Sequence, residues 1–202
     1  MSILSFYYDI PLINNQITDA KPNIKNLSFI NLINNINFLL SDLIISNSKA
    51  GLGAYNVEDL SKSKVIYNGF DFDRINRLKD RKYIRDQFRI KTKYVLGMVA
   101  SFSELKDYST YIKAAIKTLN KRIDITFLCI WKGDDTKYKK MVSDEYRNNI
   151  KFLGYQNNVE SIMNICDVGV LSTYTEGIPN SLIEFMALGI PVIATDGGGT
   201  KE

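Results

Sequence analysis

No histidine occurs among the 202 residues. The side chain that most often acts as a general base near neutral pH, and most often ligates metals, is therefore missing from this chain. Cysteine is nearly missing as well: Cys129 and Cys166 are the two. Each sits inside an apolar run and neither has a paired-ligand spacing, so both read as reduced core residues of a cytosolic protein. A membrane-crossing helix needs roughly 20 mostly apolar residues. The richest apolar stretch, 29–45, is interrupted by Asn31, Asn34, Asn35, Asn37 and Asp42, so no span is expected. The first ten residues, MSILSFYYDI, carry neither a basic region nor a small-residue cleavage site and make a poor signal peptide. Basic residues are scattered without a long run, which argues against a dedicated nucleic-acid surface.

What is present suits an ordinary folded chain. Hydrophobic residues make up 45% and charged residues 24%, enough of the first for a core and too few of the second for disorder. A net charge of +4 suits an anionic small molecule as well as a nucleic acid. The length allows one full domain and part of another. Abundant Asn, Ile, Lys and Tyr point to an AT-rich genome, which hints at a bacterial source.

Residues 1–28 show no clear period, are broken by Pro11 and Pro22, and read as loop. Phe29, Ile33, Ile36, Leu40 and Leu43 recur every three or four residues and predict a helix. A short buried strand over 42–46, a helix over 47–62 and a strand over 64–67 ended by Asn68-Gly69 follow. Residues 70–92 read as a charged connector with a helix. The pattern then becomes regular. Strands are expected at 94–100, 125–130, 150–153, 168–171 and 191–195. Helices are expected at 107–119 (with Asp107 as N-cap), 136–146, 159–166 and 180–188. This alternation predicts an α/β fold, a Rossmann-like parallel sheet with flanking helices. Ligands of such sheets bind beyond the carboxyl ends of the strands.

The loops there hold the unusual residues. Lys106 precedes a helix N-terminus, where an ammonium adds to the positive end of the helix dipole and could hold a phosphate; a solvated surface lysine is the equal alternative. Asn180, Ser181 and Glu184 share one helix turn. Glu176 lies just before that helix, and Gly177 permits close approach of the backbone to a ligand. Either glutamate alone could be a helix-dipole partner or a solvated side chain. The run Gly197–Gly199 could be only a flexible turn.

Order and spacing carry more than any single residue. Glu176 and Glu184 are separated by seven residues in EGIPNSLIEFMALGIPVIATDGGGTKE. This setting is similar to the E-x7-E region of glycosyltransferase family 4 and related GT-B enzymes. Ser41–Ser48 resembles the end of that family's first domain, and Val65–Asp71 its VIYNGID entry to the second. Lys151–Gly154 resembles the strand before the base-binding loop, and Gly198-Gly199-x-x-Glu202 the motif that closes the series. The resemblance implies a retaining, GT-B-type transferase acting from a nucleotide-sugar donor, such as a UDP- or GDP-sugar, on a glycan or lipid-linked acceptor, in bacterial surface-polysaccharide synthesis. It implies that Glu184 binds the ribose hydroxyls and Glu176 the donor sugar near its reacting end. Backbone N–H groups around Gly177, Ile178 and Asn180 would meet sugar and phosphates. Lys106 would neutralise the leaving diphosphate, and Tyr155 would lie near the base. Ser181 joins the substrate-binding set by its place beside Asn180. Ser101 stands where the family usually has an arginine, and Trp131-Lys132-Gly133 where a Gly-Asp-Gly-like loop is common. No metal or other cofactor is expected, no nucleic-acid partner, and a cytoplasmic location at the inner face of the membrane, with peripheral association in the full-length enzyme.

The same resemblance divides the chain into a remnant of an N-terminal acceptor domain (1–49), an interdomain segment (50–92) and a nucleotide-sugar-binding domain (93–202) that is incomplete at its end. The helix from Phe29 would then expose an apolar face. The competing readings are a non-catalytic nucleotide or nucleotide-sugar binding module, a GT-B epimerase, disfavoured by E-x7-E and the lack of histidine, and a flavodoxin-like signalling domain, disfavoured by the absence of an acidic pocket after the strand at 94–100.

Overall fold

The computed structural model describes residues 2–20 and 29–202; Pro22, read above as a breaker, lies outside the described residues. The chain forms two compact units. The first contains the residues up to Asn68 together with Thr175–Pro179 and Asp196–Glu202; the second contains Gly69–Tyr174 and Asn180–Thr195. These cuts differ from the sequence boundaries at 49/50 and 92/93. Residues 50–68 stay with the first unit because they supply Leu52 and Val57 to its core and a strand to its sheet.

The first unit runs α1 (Ser2–Tyr7), β1 (Ile13–Ile17), α2 (Phe29–Leu40), β2 (Leu43–Ser46), α3 (Lys49–Ala54) and β3 (Ser63–Val65). Its strands form a parallel sheet in the order β1-β2-β3 around Ile17, Phe38, Ile44, Leu52 and Val57. The expected loop over 1–28 is thus corrected to a helix and a strand among its described residues. β1 reads INNQI and buries only Ile17; pairing with β2, not an apolar alternation, holds it at the sheet edge. The helix expected over 47–62 stops at Ala54, and Asn56 then takes a left-handed backbone, φ 54°, which ends the turn. Of the face expected on α2, Phe29, Ile33 and Ile36 are exposed and Leu40 is half-buried, while Phe38, outside that face, is the one buried residue of the helix.

The second unit opens with a 3-10 segment, Phe72–Arg77, and α4 (Arg81–Gln87). There follow β4 (Tyr94–Val99), α5 (Tyr108–Leu119), β5 (Ile125–Ile130), α6 (Thr136–Lys139), β6 (Ile150–Gly154), α7 (Val159–Met163), β7 (Val168–Leu171), α8 (Asn180–Ala187) and β8 (Val192–Ala194). The strands lie parallel in the order β6-β5-β4-β7-β8. This is the Rossmann-like sheet expected from the alternation, and its order reverses between β4 and β7. Buried strands explain the continuous apolar runs, since each parity serves a different core. Ile125, Phe127 and Cys129 face the cluster holding Tyr111 and Ile112 of α5. Leu128 and Ile130 face the cluster holding Ile84 of α4, Ile162 and Met163 of α7, and Phe185 of α8. Both cysteines are free and buried, one in each cluster, and burial pushes their thiols well up. The helix expected over 136–146 is broken: Ser143 takes extended backbone, ψ 160°, and a separate 3-10 turn follows at Asp144–Tyr146. No helix among the described residues is long and apolar enough to cross a membrane.

Gly97 of β4 and Gly169 of β7 are register partners, and the Phe185 ring fills the space above them. A Cβ on Gly169 would sit 2.4 Å from ring carbons of Phe185. Gly169→Ala is therefore expected to destabilise the chain by about 1–3 kcal/mol through overpacking, and Phe185→Ala by about 3–5 kcal/mol through the cavity left. Urea unfolding of both variants checks this; a Gly169→Ala chain as stable as the parent would show that the ring is not wedged there.

Candidate functional site

In the second unit Lys106 and Glu184 follow β4 and β7, the strands between which the sheet order reverses. The loop after β4, residues 100–107, is fixed from beneath by α5. Tyr108 donates its hydroxyl to the Ala100 carbonyl at 2.6 Å, and burial holds that phenol well above its ordinary pKa. Asp107 caps α5, its side chain accepting from the Thr110 N–H at 3.0 Å. Burial would raise this carboxyl, but hydrogen bonds from Thr110 and Tyr174 prevail and hold it below the usual carboxylate range.

The same loop is tied to the loop after β7. The Asp107 N–H donates to the Ser172 carbonyl at 2.9 Å, the Tyr174 N–H to the Leu105 carbonyl at 3.0 Å, and the Thr173 hydroxyl to the same Leu105 carbonyl at 3.0 Å. Lys106 and Thr173 form an isolated antiparallel bridge. Thr195, just past β8, both accepts from the Thr173 N–H at 2.9 Å and donates to the Thr173 carbonyl at 2.7 Å. Three strand ends are thereby held as one frame, with Lys106 on it and half-buried. Sequence reasoning missed Thr173 and Thr195; nothing in their local pattern marks them. Ser101 is half-buried and donates to the Ser103 hydroxyl at 3.2 Å, within its own loop. Gly133, at φ 134°, places its loop over Phe102, which in turn stacks on Tyr108 at a centroid distance of 4.4 Å.

Helix α8 carries Asn180, exposed, and Ser181 and Glu184, both half-buried. Glu184 has a partner the sequence did not announce. Arg74, from the 3-10 segment, places Nη2 at 3.0 Å from Glu184 Oε1 and also binds Glu160 of α7. Burial raises the Glu184 carboxyl; Arg74 works against that rise and Glu160 adds to it. Tyr155 follows β6, the outermost strand, and is exposed. Beyond it Asn157 and Asn158 line a groove of about 420 Å³ together with Arg74, Arg77, Asp71, Asp73 and Glu160.

Glu176, Gly177 and Ile178 belong to the first unit and pack there. The Glu176 carbonyl accepts from the Ala20 N–H at 3.3 Å and the Gly199 N–H at 3.0 Å, and the residue is 9% exposed. A Cβ on Gly177 would sit 2.2 Å from Asn47 Oδ1 and 2.4 Å from the Thr18 carbonyl oxygen, so the close approach that demands glycine here is to the protein's own chain. The Ile178 carbonyl accepts from Asn68 Nδ2 at 3.0 Å. The glycine run is not a loose turn either: Gly198, at φ 60°, and Gly199 leave no room for a Cβ against Glu176 and Gly177. Glu202 accepts from the Lys49 and Ala50 N–H groups at 2.7 Å each, beside the Ser48 cap of α3. The sequence-derived site residues are thus divided: Lys106, Ser101, Tyr155, Asn180, Ser181 and Glu184 lie in one unit, Glu176, Gly177 and Ile178 in the other.

A family model described as glycosyl transferases group 1 matches residues 80–202. The N-acetylgalactosamine-N,N'-diacetylbacillosaminyl-diphospho-undecaprenol 4-alpha-N-acetylgalactosaminyltransferase of Campylobacter jejuni is 27% identical over 201 residues, covering 92% of this chain and 50% of its own length. The O-antigen biosynthesis glycosyltransferase WclY of Escherichia coli is 26% identical over 164 residues, covering 79% of this chain and 44% of its own. The chain therefore spans half or less of the length of these curated relatives. Among solved structures, Anabaena Alr3699/HepE in complex with UDP and glucose matches with a TM-score of 0.82 at 23% identity, covering 98% of this chain and 56% of that one. That likeness speaks for the fold.

The cap that orders the loop after β4 is open to test. Asp107→Ala is expected to cost about 0.5–2 kcal/mol of stability at pH 7. Because the folded carboxyl lies below its unfolded value, its contribution is complete above the unfolded pKa of about 3.9 and is lost as pH falls through the folded one. Unfolding free energies of parent and variant, measured at pH 7 and in acid, should differ at the first and converge at the second.

Proposed function

The chain belongs to the glycosyl transferases group 1 family, and from that premise we propose that it holds the nucleotide-sugar donor in retaining sugar transfer to a glycan or lipid-linked acceptor. The carrying observation is the placement of Lys106 on the loop after β4 and Glu184 on the helix after β7, the two strands between which the sheet order reverses. Nucleotides of doubly wound sheets bind beyond the strand ends at that point. Glu184 takes the ribose hydroxyls, Lys106 the diphosphate, and Tyr155 with its neighbours the base. Asn180 and Ser181 open α8, where backbone N–H groups suit phosphate oxygens. The Ser101 hydroxyl serves the same anion in place of a cation. Glu176, with the backbone of Gly177 and Ile178, is assigned to the donor sugar.

The chemistry asks for these groups. As the glycosidic bond to the donor breaks, negative charge grows on the leaving diphosphate, and donors already in place stabilise it without reorganisation. We assign that task to Lys106 and the N–H groups, with no metal required. UDP bound to the Anabaena protein supports a uridine donor. The name of the Campylobacter relative supports a diphospho-undecaprenol-linked acceptor, and that of the Escherichia relative a role in surface polysaccharide. An acceptor of that kind places the reaction at the inner face of the membrane.

Titration calorimetry with UDP and GDP tests the assignment. One of the two is expected to bind, and Glu184→Ala to weaken it by about 1.5–3 kcal/mol, the worth of a charge-assisted hydrogen bond. Lys106→Ala should weaken the nucleoside diphosphate but not the nucleoside. Binding unchanged in Glu184→Ala would remove the donor-site reading.

A further inference from the structure

The first unusual feature of Glu184 is what touches it. Arg74 reaches across from the 3-10 segment and meets two carboxylates with one guanidinium. Its Nε donates to Glu160 Oε1 at 2.7 Å, its Nη2 donates to the same oxygen, and Nη2 also lies 3.0 Å from Glu184 Oε1. The guanidinium in turn lies over the Phe70 ring, 5.2 Å from its centroid. The glutamate side chains are only 13% and 15% exposed, against 39% for Arg74. Two carboxylates so little hydrated repel each other and lose solvation, and the single cation between them offsets only part of that cost. An apolar trio of similar volume would serve the packing at least as well. The cluster therefore asks for a reason other than stability.

Its geometry supplies one. Arg74 is fixed by Glu160 and Phe70 and engages one oxygen of Glu184. That contact is to Oε1. A carboxylate held at one oxygen, with acceptor capacity left on both, is a ready receiver for two adjacent hydroxyls. Arg74 and Glu160 also line the groove of about 420 Å³ that runs past Asn157 and Asn158. A groove of this size, lined by amides and charged groups, suits a nucleoside.

We propose that Arg74 is a positioning residue that orients the Glu184 carboxylate to accept the two ribose hydroxyls of the donor nucleotide. The inference rests on the donor-site reading above and deepens it. It adds Arg74, and behind it Glu160, to the residues that select a ribonucleotide. Arg74 need not touch the nucleotide to do so. Its removal leaves the half-buried Glu184 beside Glu160 with no cation to hold its carboxylate in place, a setting that raises its carboxyl further.

The test uses the whole chain and whichever of UDP and GDP binds, compared with its 2′,3′-dideoxy analogue. Arg74→Gln is expected to weaken the ribonucleotide about tenfold, the size of one charge-assisted hydrogen bond, and to leave the analogue within about twofold. Arg74→Lys, which keeps the charge but not the fork, should fall between. Arg122→Gln, which removes an exposed ion pair to Asp124 outside the groove, should change neither ligand. The ratio of the two affinities cancels the titration of the phosphates. In Arg74→Gln that ratio should collapse, as pH falls, at a higher pH than in the parent, because the Glu184 carboxyl protonates sooner. Equal weakening of both nucleotides, or an unchanged ratio, would overturn the inference. Should Arg74→Gln fail to fold by thermal unfolding, Arg74→Lys carries the comparison, and an undiminished ratio there overturns it. Glu184→Gln separates the two levels. Loss of the ribose preference in Glu184→Gln but not in Arg74→Gln would overturn the role of Arg74 alone. No binding of either nucleotide to the parent, or a preference surviving in Glu184→Gln, would overturn the donor-site reading itself.

Discussion

The Phe185 ring lies where two neighbouring strands each present a hydrogen atom in place of a side chain. Gly97 and Gly169 face each other across β4 and β7, and the ring is fully buried above them. No other residue type at Gly169 leaves room for it, and Cys166 closes the space beside Gly97, with Sγ 2.7 Å from where a Cβ would be. A helix anchored by one such ring cannot roll. Successive residues of a helix are turned by about 100°, so the seat of Phe185 sets the direction of Glu184, one position earlier. Leu182 reaches the other core cluster from the first turn of the same helix and fixes its tilt. The placing of a charged functional group thus follows from an apolar contact that involves no charge.

A second constraint acts on the opposite side of the reversal in strand order. The loop after β4 has no regular structure, yet its backbone groups are bonded to α5, to the loop after β7, and through Thr173 to Thr195. A loop that must present an ammonium to a phosphate gains from being stiff, since ordering it on binding would subtract from affinity. The tyrosines of α5 contribute from below: Tyr111 bridges the Leu96 and Leu128 carbonyls of adjacent strands, and Tyr108 holds the Ala100 carbonyl at the start of the loop. Lys106 is carried on a frame of hydrogen bonds as Glu184 is carried on a wedge of apolar packing.

These differences explain what could be read in advance. The five strands of the second unit were legible because parallel strands buried on both faces leave continuous apolar runs, as in Ile125–Ile130. Asp107 was legible as a cap because capping is a local rule. β1 was not, because an edge strand with one buried residue has no apolar period to show. The assignment of Glu176 and the glycine run to the first unit was not, because it depends on Ala20, Asn47 and Ser48, far away in the chain. Arg74 looked like one more charge in a surface connector. Its importance arises from α7 and α8 arriving beside it, with Glu160 86 residues further along the chain.

The Arg74 cluster also bears on why a folded chain keeps a feature that does little for folding. Exposed ion pairs contribute little, and half-buried ones often less than the apolar groups that could replace them. Elsewhere in this unit polar side chains serve the backbone: Asp107 caps a helix, Tyr108 and Tyr111 occupy carbonyls, Thr195 pairs with Thr173. Glu184 does none of these things. Its helix has no need of it, since Phe185 and Leu182 already hold α8 to the sheet. A carboxylate that the fold does not use, raised in pKa by burial and met by one arginine at Oε1, is explained by a ligand whose hydroxyls it accepts.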